Sequence, residues 1–448
     1  MTSETKNRIA AINSGIIPEG YKKTKVGIVP VEWETARLRT ISKHSTEKNK
    51  DLKYHETYTN SATQGIIKQT DYFDKQISNN ENIDGYYVVK HNDYVYNPRI
   101  SVSAPCGPIR KSHFSETGVM SPLYTIFRLN DEYEDNEYIE HYFNSPFWHR
   151  YMSSVANYGA RHDRMNITND DLFNMPIPFP PLPEQQKIAE ILTTQDKLIE
   201  LQEKKIEQLK ELKKAYLQKM FPQKGCKYPE LRFKGFTDAW EQCKLGKLIE
   251  NGIIIEQSDG NHGELYPRAE EFTEKGIPYI SASSISADGE SIDFNLTKYL
   301  PIERAKQFRK GVAKNGDILL AHNATVGPAV LLSMNYEFAI LSTSLTLYRL
   351  DDKKMNSYYF LQAIRSRFFQ IQLETFMAQT TRNQVPILTQ RNLLICYPTN
   401  INEQEKIGEF LLSFDKHLAL HQYKLEQEKQ KKKALMQLLL TGIVRVKI

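Results

Sequence analysis

No uncharged apolar run in this 448-residue chain approaches the ~20 residues needed to span a bilayer, so the sequence holds no candidate membrane helix. Cysteine is scarce. Cys106, Cys226, Cys243 and Cys396 stand far apart and none forms a C-x-x-C pair, which argues against a zinc site or a disulfide framework. The polar start, Met1-Thr-Ser-Glu-Thr-Lys-Asn-Arg, lacks the apolar core of a signal peptide, and the cytoplasm is the expected location. Signatures of catalysis are missing as well. There is no G-x-x-x-x-G-K-[ST] loop, no G-x-G-x-x-G after a strand and no H-E-x-x-H. The nearest approach to the N-P-P-[YF] motif of adenine methylation is Asn97-Pro98-Arg99-Ile100, which lacks the second proline and the aromatic. The eleven histidines are scattered, and pairs such as His141/His149 read as surface or packing residues. A non-catalytic chain with neither cofactor nor metal is expected. The net charge of +5, from 59 basic and 54 acidic residues, permits nucleic-acid binding through local patches without demonstrating it.

What the chain does have is a long internal repeat. Glu184–Met220 returns 219 positions later as Glu403–Leu439, with 17 of 37 residues identical and no gap. The repeat reaches beyond these segments. Trp33-Glu34-Thr35-Ala36-Arg37-Leu38 is echoed by Trp240-Glu241-Gln242-Cys243-Lys244-Leu245, Thr125–Leu129 by Thr346–Leu350, and Thr168–Leu172 by Thr389–Leu393. Between the echoes the sequences diverge. The order is globule, helix, globule, helix, one scaffold carrying two differently shaped surfaces.

Both repeated segments read as helix. The first follows Ile177-Pro178-Phe179-Pro180-Pro181-Leu182-Pro183, whose prolines form a stiff, extended lead-in. Apolar residues at Ile188, Leu192, Ile199, Ile206, Leu209, Tyr216 and Met220 keep a/d heptad spacing, broken by the polar Gln195, Gln202 and Lys213. The second copy shows Ile407, Leu411, Phe414, Leu418, Leu425, Leu435 and Leu439, with His421 in the place of Gln202. Each helix is ~55 Å long at 1.5 Å per residue. A seam of that length must be buried, and its own copy is the obvious partner. The predicted fold is α+β: two mixed α/β globules and two long helices paired as an antiparallel coiled coil, with internal pseudo-two-fold symmetry.

The expected organisation is an N-terminal extension (1–20), loosely ordered, a first globule (21–178), a central helix (179–221), a second globule with its linker (222–398) and a distal helix (399–448). Strands are predicted at Tyr86–Val89, Asp93–Tyr96, Gly276–Ile280, Asp317–Leu320 and Leu345–Tyr348, with shorter helices over Tyr138–Tyr151 and Ser357–Thr375. Trp33 and Trp240 are expected to anchor each globule beside the helices. Arg128 and Arg349 follow strands in both copies and read as structural.

Two variable globules, two near-identical helices opening on E-Q-x-K-I, the P-L-P-E-Q-Q-K-I run at Pro181–Ile188 and a W-E-x-x-[RK]-L opening to each globule together resemble the specificity (S) subunit of type I restriction-modification systems. The second helix departs from that pattern, with Pro398-Thr399-Asn400-Ile401-Asn402 before Glu403. The resemblance implies that each globule is a target recognition domain reading one half of a split, double-stranded DNA target. It implies that the paired helices set the half-site spacing and dock two modification (methyltransferase) subunits. Two restriction subunits, carrying ATP-driven translocation and cleavage, would join that core. The alternative reading is a coiled-coil scaffold whose globules bind proteins.

Base readout calls for Arg, Lys, Asn or Gln on base edges, and positioning for contacts to phosphate. In the first globule the candidates are Arg99, Arg110, Lys111, Arg161 and Arg164. In the second they are Arg268, Lys298, Arg304, Lys306, Arg309, Lys310, Arg382 and Asn383. The run Arg304–Lys310 is basic with an interleaved Phe308, either a contact surface or a solvated helix face. Arg161 and Arg382 coincide when Thr168 and Thr389 are aligned, and a phosphate contact or a structural ion pair is expected there ahead of base reading.

Overall fold

The computed structural model describes residues 3–72, 83–133, 136–156, 163–286, 289–379 and 383–446. It is a mixed helix and sheet protein of two compact units, the first formed by Met1–Leu201 with Leu425–Ile448 and the second by Gln202–Lys424. Each long helix contributes to both. The central helix spans Leu182–Lys219 and the distal helix Ile401–Leu439, so both begin two residues earlier than the Glu-Gln pair that opens the repeat.

In the first unit a four-stranded antiparallel sheet runs in the order Ser42–Ser45, Thr125–Leu129, Tyr94–Tyr96, Ile109–Lys111. Its inner face is aromatic. Tyr94 stacks on Phe127 at 5.4 Å between centroids, and Phe143 meets Phe127 edge-on. The region read as one helix over 138–151 is two, Glu137–Phe143 and His149–Val155. Ser145 caps the first by donating its hydroxyl to the Tyr142 carbonyl, and Pro146 follows, so the i to i−4 ladder cannot continue. The proline-rich lead-in is extended as expected. Pro176–Phe179 pairs with Glu34–Arg37 as a two-stranded ribbon, where a missing N–H is tolerated, and Pro183 sits in the first helical turn, where its N–H would be unpaired anyway. Residues 3–13 are not loose: Ser3–Asn13 is a helix. Arg8 donates to the Ile443 carbonyl and Tyr21 to that of Gly442, tying the first residues to the last.

The second unit repeats this frame. Its sheet runs Ile254–Asp259, Leu345–Leu350, Ile318–Asn323, Thr325–Leu331, the same order from equivalent segments. Glu241–Lys244 pairs with Leu394–Tyr397 as its counterpart ribbon. Ser366 interrupts the predicted helix, giving Ser357–Arg365 and Arg367–Ala378, and its hydroxyl bonds the Ala363 carbonyl as Ser145 bonds that of Tyr142. A second sheet of this unit, Lys298–Leu300, Ile277–Ile280, Ala339–Leu341 and Val312–Ala313, includes one parallel pair. The first unit has the same order as two ribbons, Gly65–Lys68 with Tyr58–Ser61 and Gly118–Met120 with Tyr87–Val89, joined by a parallel bridge between Thr57 and Val119.

Two polar arrangements recur in both units. The first joins each domain to the start of a long helix. Glu184 is 0% exposed and accepts from Trp33 Nε1 at 3.0 Å and from Arg445 at 2.6 and 2.8 Å. Glu403 is 1% exposed and accepts from Trp240 Nε1 at 3.3 Å and from Arg232 at 2.7 and 2.8 Å. Both arginines hold their protons more tightly than usual because of these hydrogen bonds to the glutamates. The adjacent glutamines match too, Gln185 donating to the Pro180 carbonyl and Gln404 to that of Pro398. The second arrangement locks each sheet. Asp93 accepts the Lys90 N–H and a two-point bond from Arg128. Asp317 accepts the Lys314 N–H and a two-point bond from Arg349, which also reaches Glu256.

The polar breaks in the apolar seams are paired rather than left bare. In the first unit Gln195 donates to the Glu428 carboxylate, and Asp196 meets Lys432. In the second, Gln202 bonds His421, and Lys213 meets Asp415 and Glu290, both of which also hold Arg365. Lys213 and Lys432 are repeat equivalents, as are Asp196 and Asp415.

Removing one partner of a buried ion pair strands the other charge, at a cost of about 3 kcal/mol or more. Asp317→Ala is therefore expected to shift the second unit's unfolding to lower urea, by less than that full loss because Arg349 keeps Glu256. A transition unchanged from that of the parent protein would show that the Arg349 contact contributes nothing.

Candidate nucleic-acid interface

The two frames differ at the tip of the hairpin that ends each four-stranded sheet. In the first unit twelve residues, 97–108, separate Tyr94–Tyr96 from Ile109–Lys111. The loop is tightly bonded. Asn97 is buried, donates to the Asn60 carbonyl and accepts the Arg99 N–H. Ser101 and Ala104 exchange backbone bonds at 3.0 and 3.1 Å, which puts Val102 and Ser103 at an exposed two-residue tip. Gly107 has φ +75°, and a Cβ there would lie 2.0 Å from the Asn97 carbonyl oxygen, so only glycine fits. In the second unit the equivalent hairpin turns at Ala324 alone, held at φ +64°, a left-handed conformation that a non-glycine residue adopts at a cost.

Each tip is held by the segment that leads into a long helix. In the first unit Met165 N–H donates to the Pro98 carbonyl and Ile100 N–H to the Asp163 carbonyl, with a bridge between Arg99 and Arg164. In the second, Val385 N–H donates to the His322 carbonyl and Ala324 N–H to the Asn383 carbonyl, with a bridge between Asn323 and Gln384. Met165 therefore corresponds to Val385, an offset of 220. This differs from the alignment of Thr168 with Thr389. Thr168 is the N-cap of Asn169–Phe173, whereas Thr389 lies inside Ile387–Gln390, whose N-cap is Pro386. The second unit is two residues shorter between the bridge and this helix. At the bridge offset Arg161 aligns with Thr381, not Arg382. Arg161 and Arg382 themselves lie outside the described residues.

The remaining candidates divide by what they touch. Arg99 is exposed and Arg164 half-buried, its Nε 3.5 Å from the Asp163 carboxylate. Arg110 serves its own domain: it donates to Asn144 and to the Ala62 carbonyl, and burial weakens its hold on the proton. Lys111 is half-buried on the same strand. Arg304 is similarly committed, to Glu271, Gln307 and the Leu265 carbonyl, with its guanidinium 4.9 Å from the Phe308 ring centre. Lys306 pairs with Glu303, and Lys298 lies over Phe272. Arg268, Arg309, Lys310 and Asn383 are exposed. The structure thus brings Arg99 to Arg164 and Asn383 to the second hairpin tip, while Arg304, Lys306 and Arg309 lie on the connection between Lys298–Leu300 and Val312–Ala313 in the second unit. Asn323 and Gln384 carried no signal of their own in the sequence. Only the strand register places them opposite one another.

Arg110→Ala is expected to lower the thermal midpoint by several degrees, since it leaves the Asn144 and Ala62 oxygens without their donor. Arg99→Ala is expected to leave the midpoint within a degree. Equal midpoints for the two variants would show that Arg110 is no more structural than Arg99.

The family model described as the type I restriction modification DNA specificity domain matches residues 30–211 and again 239–429. The chain is 27% identical over 278 residues to the MjaVIII type I restriction enzyme specificity subunit of Methanocaldococcus jannaschii, covering 61% of this chain and 63% of that protein. It is 23% identical over 451 residues to the putative MjaX specificity subunit of the same organism, covering 96% and 97%. Among solved structures, one concerned with complex assembly and conformational transition of the type I R-M system has a chain of TM-score 0.56 at 15% identity, covering 93% of this chain and 99% of its own. The type I S subunit from M. genitalium has TM-score 0.53 at 16% identity, covering 93% and 96%. These two share its fold. With the family model matching both halves of the repeat, the chain belongs to the type I restriction-modification DNA specificity family.

Proposed function

We propose that this chain is the DNA sequence-specificity subunit of a type I restriction-modification complex and catalyses nothing itself. The supporting observation is the doubled frame. Equivalent sheets, clamps and serine breaks recur in the two units, while the hairpin tips differ. A protein that holds its frame constant and varies its tips is built to present two different surfaces from one scaffold, which fits a bipartite, asymmetric target. We assign residues 21–178 and 222–398 as the two target recognition domains, with 1–20 as an N-terminal segment. The central helix (179–221) and distal helix (399–448) pair along their apolar seams as an antiparallel coiled coil, which gives the chain pseudo-two-fold symmetry and sets the half-site spacing.

The partners in this reading are double-stranded DNA, two modification subunits docked along the helices and two restriction subunits, with the methyl donor and ATP held by those partners. No helix among the described residues is long and apolar enough to cross a membrane, and we place the complex in the cytoplasm. Arg99, Arg164, Arg268, Arg309, Arg161, Arg382 and Asn383 are the side chains we assign to the DNA face. Lys111, Lys306 and Lys310 would lie around it. Arg110 and Arg304 shape it from behind through their bonds to neighbouring elements.

Co-expression with a modification subunit, followed by mapping of methylated adenines, tests the reading. A split motif of two short blocks that disappears when the chain is deleted is expected, and a stable complex that neither binds nor methylates DNA would overturn it. Each phosphate contact contributes a slope of about −0.9 to log K against log salt, so Arg382→Ala is expected to flatten that slope by about one such step. An unchanged slope removes Arg382 from the backbone contacts. Four residues added to one helix lengthen it by ~6 Å, and the gap between the two blocks is expected to change. A motif with its spacing kept would show that the helices do not set it.

A further inference from the structure

In each unit one isolated antiparallel bridge joins the hairpin tip to the segment entering the long helix, Arg99 opposite Arg164 in the first and Asn323 opposite Gln384 in the second. The flanking backbone bonds are equivalent, so the two pairs occupy the same place on the same frame. Residues directly opposite across antiparallel backbone set their side chains on one face, with Cβ atoms ~5 Å apart. Each unit therefore presents two side chains together, on backbone already held by hydrogen bonds. Their chemistry differs. The first pair is two guanidiniums and the second two carboxamides.

Two arginines directly opposite one another repel. The Asp163 carboxylate lies 3.5 Å from Arg164 Nε, while Arg99 is exposed. Such a pair calls for an acceptor-rich partner. Guanine offers O6 and N7 as two acceptors in the major groove, matched by arginine. Adenine offers N7 as acceptor and N6 as donor, matched by the carboxamide of asparagine or glutamine. We infer that these bridged pairs are the base-reading elements of the two domains, Arg99/Arg164 for guanine in one half-site and Asn323/Gln384 for adenine in the other. The inference rests on the DNA-specificity reading above and adds the residues and the bases they select.

The test is a map of methylated adenines made with the full chain and its modification subunit. The parent chain serves as the control for the underlying reading: without a split motif from it, that reading fails whatever the variants do. With Asn323→Arg and Gln384→Arg together, one block of the motif is expected to change at one or two adjacent base pairs while the other stays. Methylation at the parent site should fall roughly tenfold to a hundredfold, the range of a good bidentate contact. With Arg99→Asn and Arg164→Gln together, the other block is expected to change. An unchanged motif in either variant, or both variants altering the same block, overturns the inference. Should the arginine variant methylate nothing, Asn323→Gln and Gln384→Asn decide. Retention of the parent motif with these carboxamide-keeping changes supports amide readout, and loss of all methylation with them as well shows that the positions are structural and rejects it.

Discussion

Each unit is organised around a buried carboxylate at the start of a long helix. Glu184 and Glu403 are almost wholly removed from water, and a buried carboxylate is tolerated only when donors surround it. The donors come from separate parts of the chain. One is the tryptophan opening that unit's domain, Trp33 or Trp240, and the other is an arginine beyond the end of the other long helix, Arg445 or Arg232. Domain, helix start and helix end meet at one charge. Loss of the carboxylate would disconnect all three. That accounts for the repetition of the Glu-Gln pair and the W-E opening while the domains between them diverge.

The same economy governs the sheets. The Asp93–Arg128 and Asp317–Arg349 pairs fix two neighbouring strands of each four-stranded sheet, and the turn before each acid is closed by the same backbone bond, Lys90 or Lys314 N–H to the carboxylate. With the frame held by these contacts, the hairpin tips are free to differ in length. A twelve-residue loop at one tip and a single left-handed alanine at the other are then both tolerated. In the proposed reading, this variation at the tips gives one fold two recognition surfaces.

Much of this was legible in the sequence because repetition marks it. The long helices, the tryptophan anchors and the structural role of Arg128 and Arg349 all follow from residues that recur in register; the predicted strands at 86–89, 93–96, 276–280 and 317–320 each start one residue before an observed one, and 345–348 lies within one. What failed to show has physical reasons. The helix breaks at Ser145 and Ser366 depend on a hydroxyl turning back to its own helix, which periodicity does not reveal. Asp93 and Asp317 are two acids among 54, and only the fold brings each to its arginine. The echo of Thr168 in Thr389 misled the alignment because the second unit shortens the connection by two residues before its helix. Asn323 and Gln384 are ordinary polar residues until the hairpin register sets them face to face.

In the proposed reading, each domain reads its own half-site from an interchangeable position on a shared frame. The most direct test replaces residues 21–178 with the 222–398 domain and maps the adenines methylated with the modification subunit. If the helices pair with the proposed pseudo-two-fold symmetry, two copies of one domain predict a palindromic motif, the same block twice in inverted order with the parent gap. An asymmetric motif from such a chain, or the parent motif unchanged, would contradict the account.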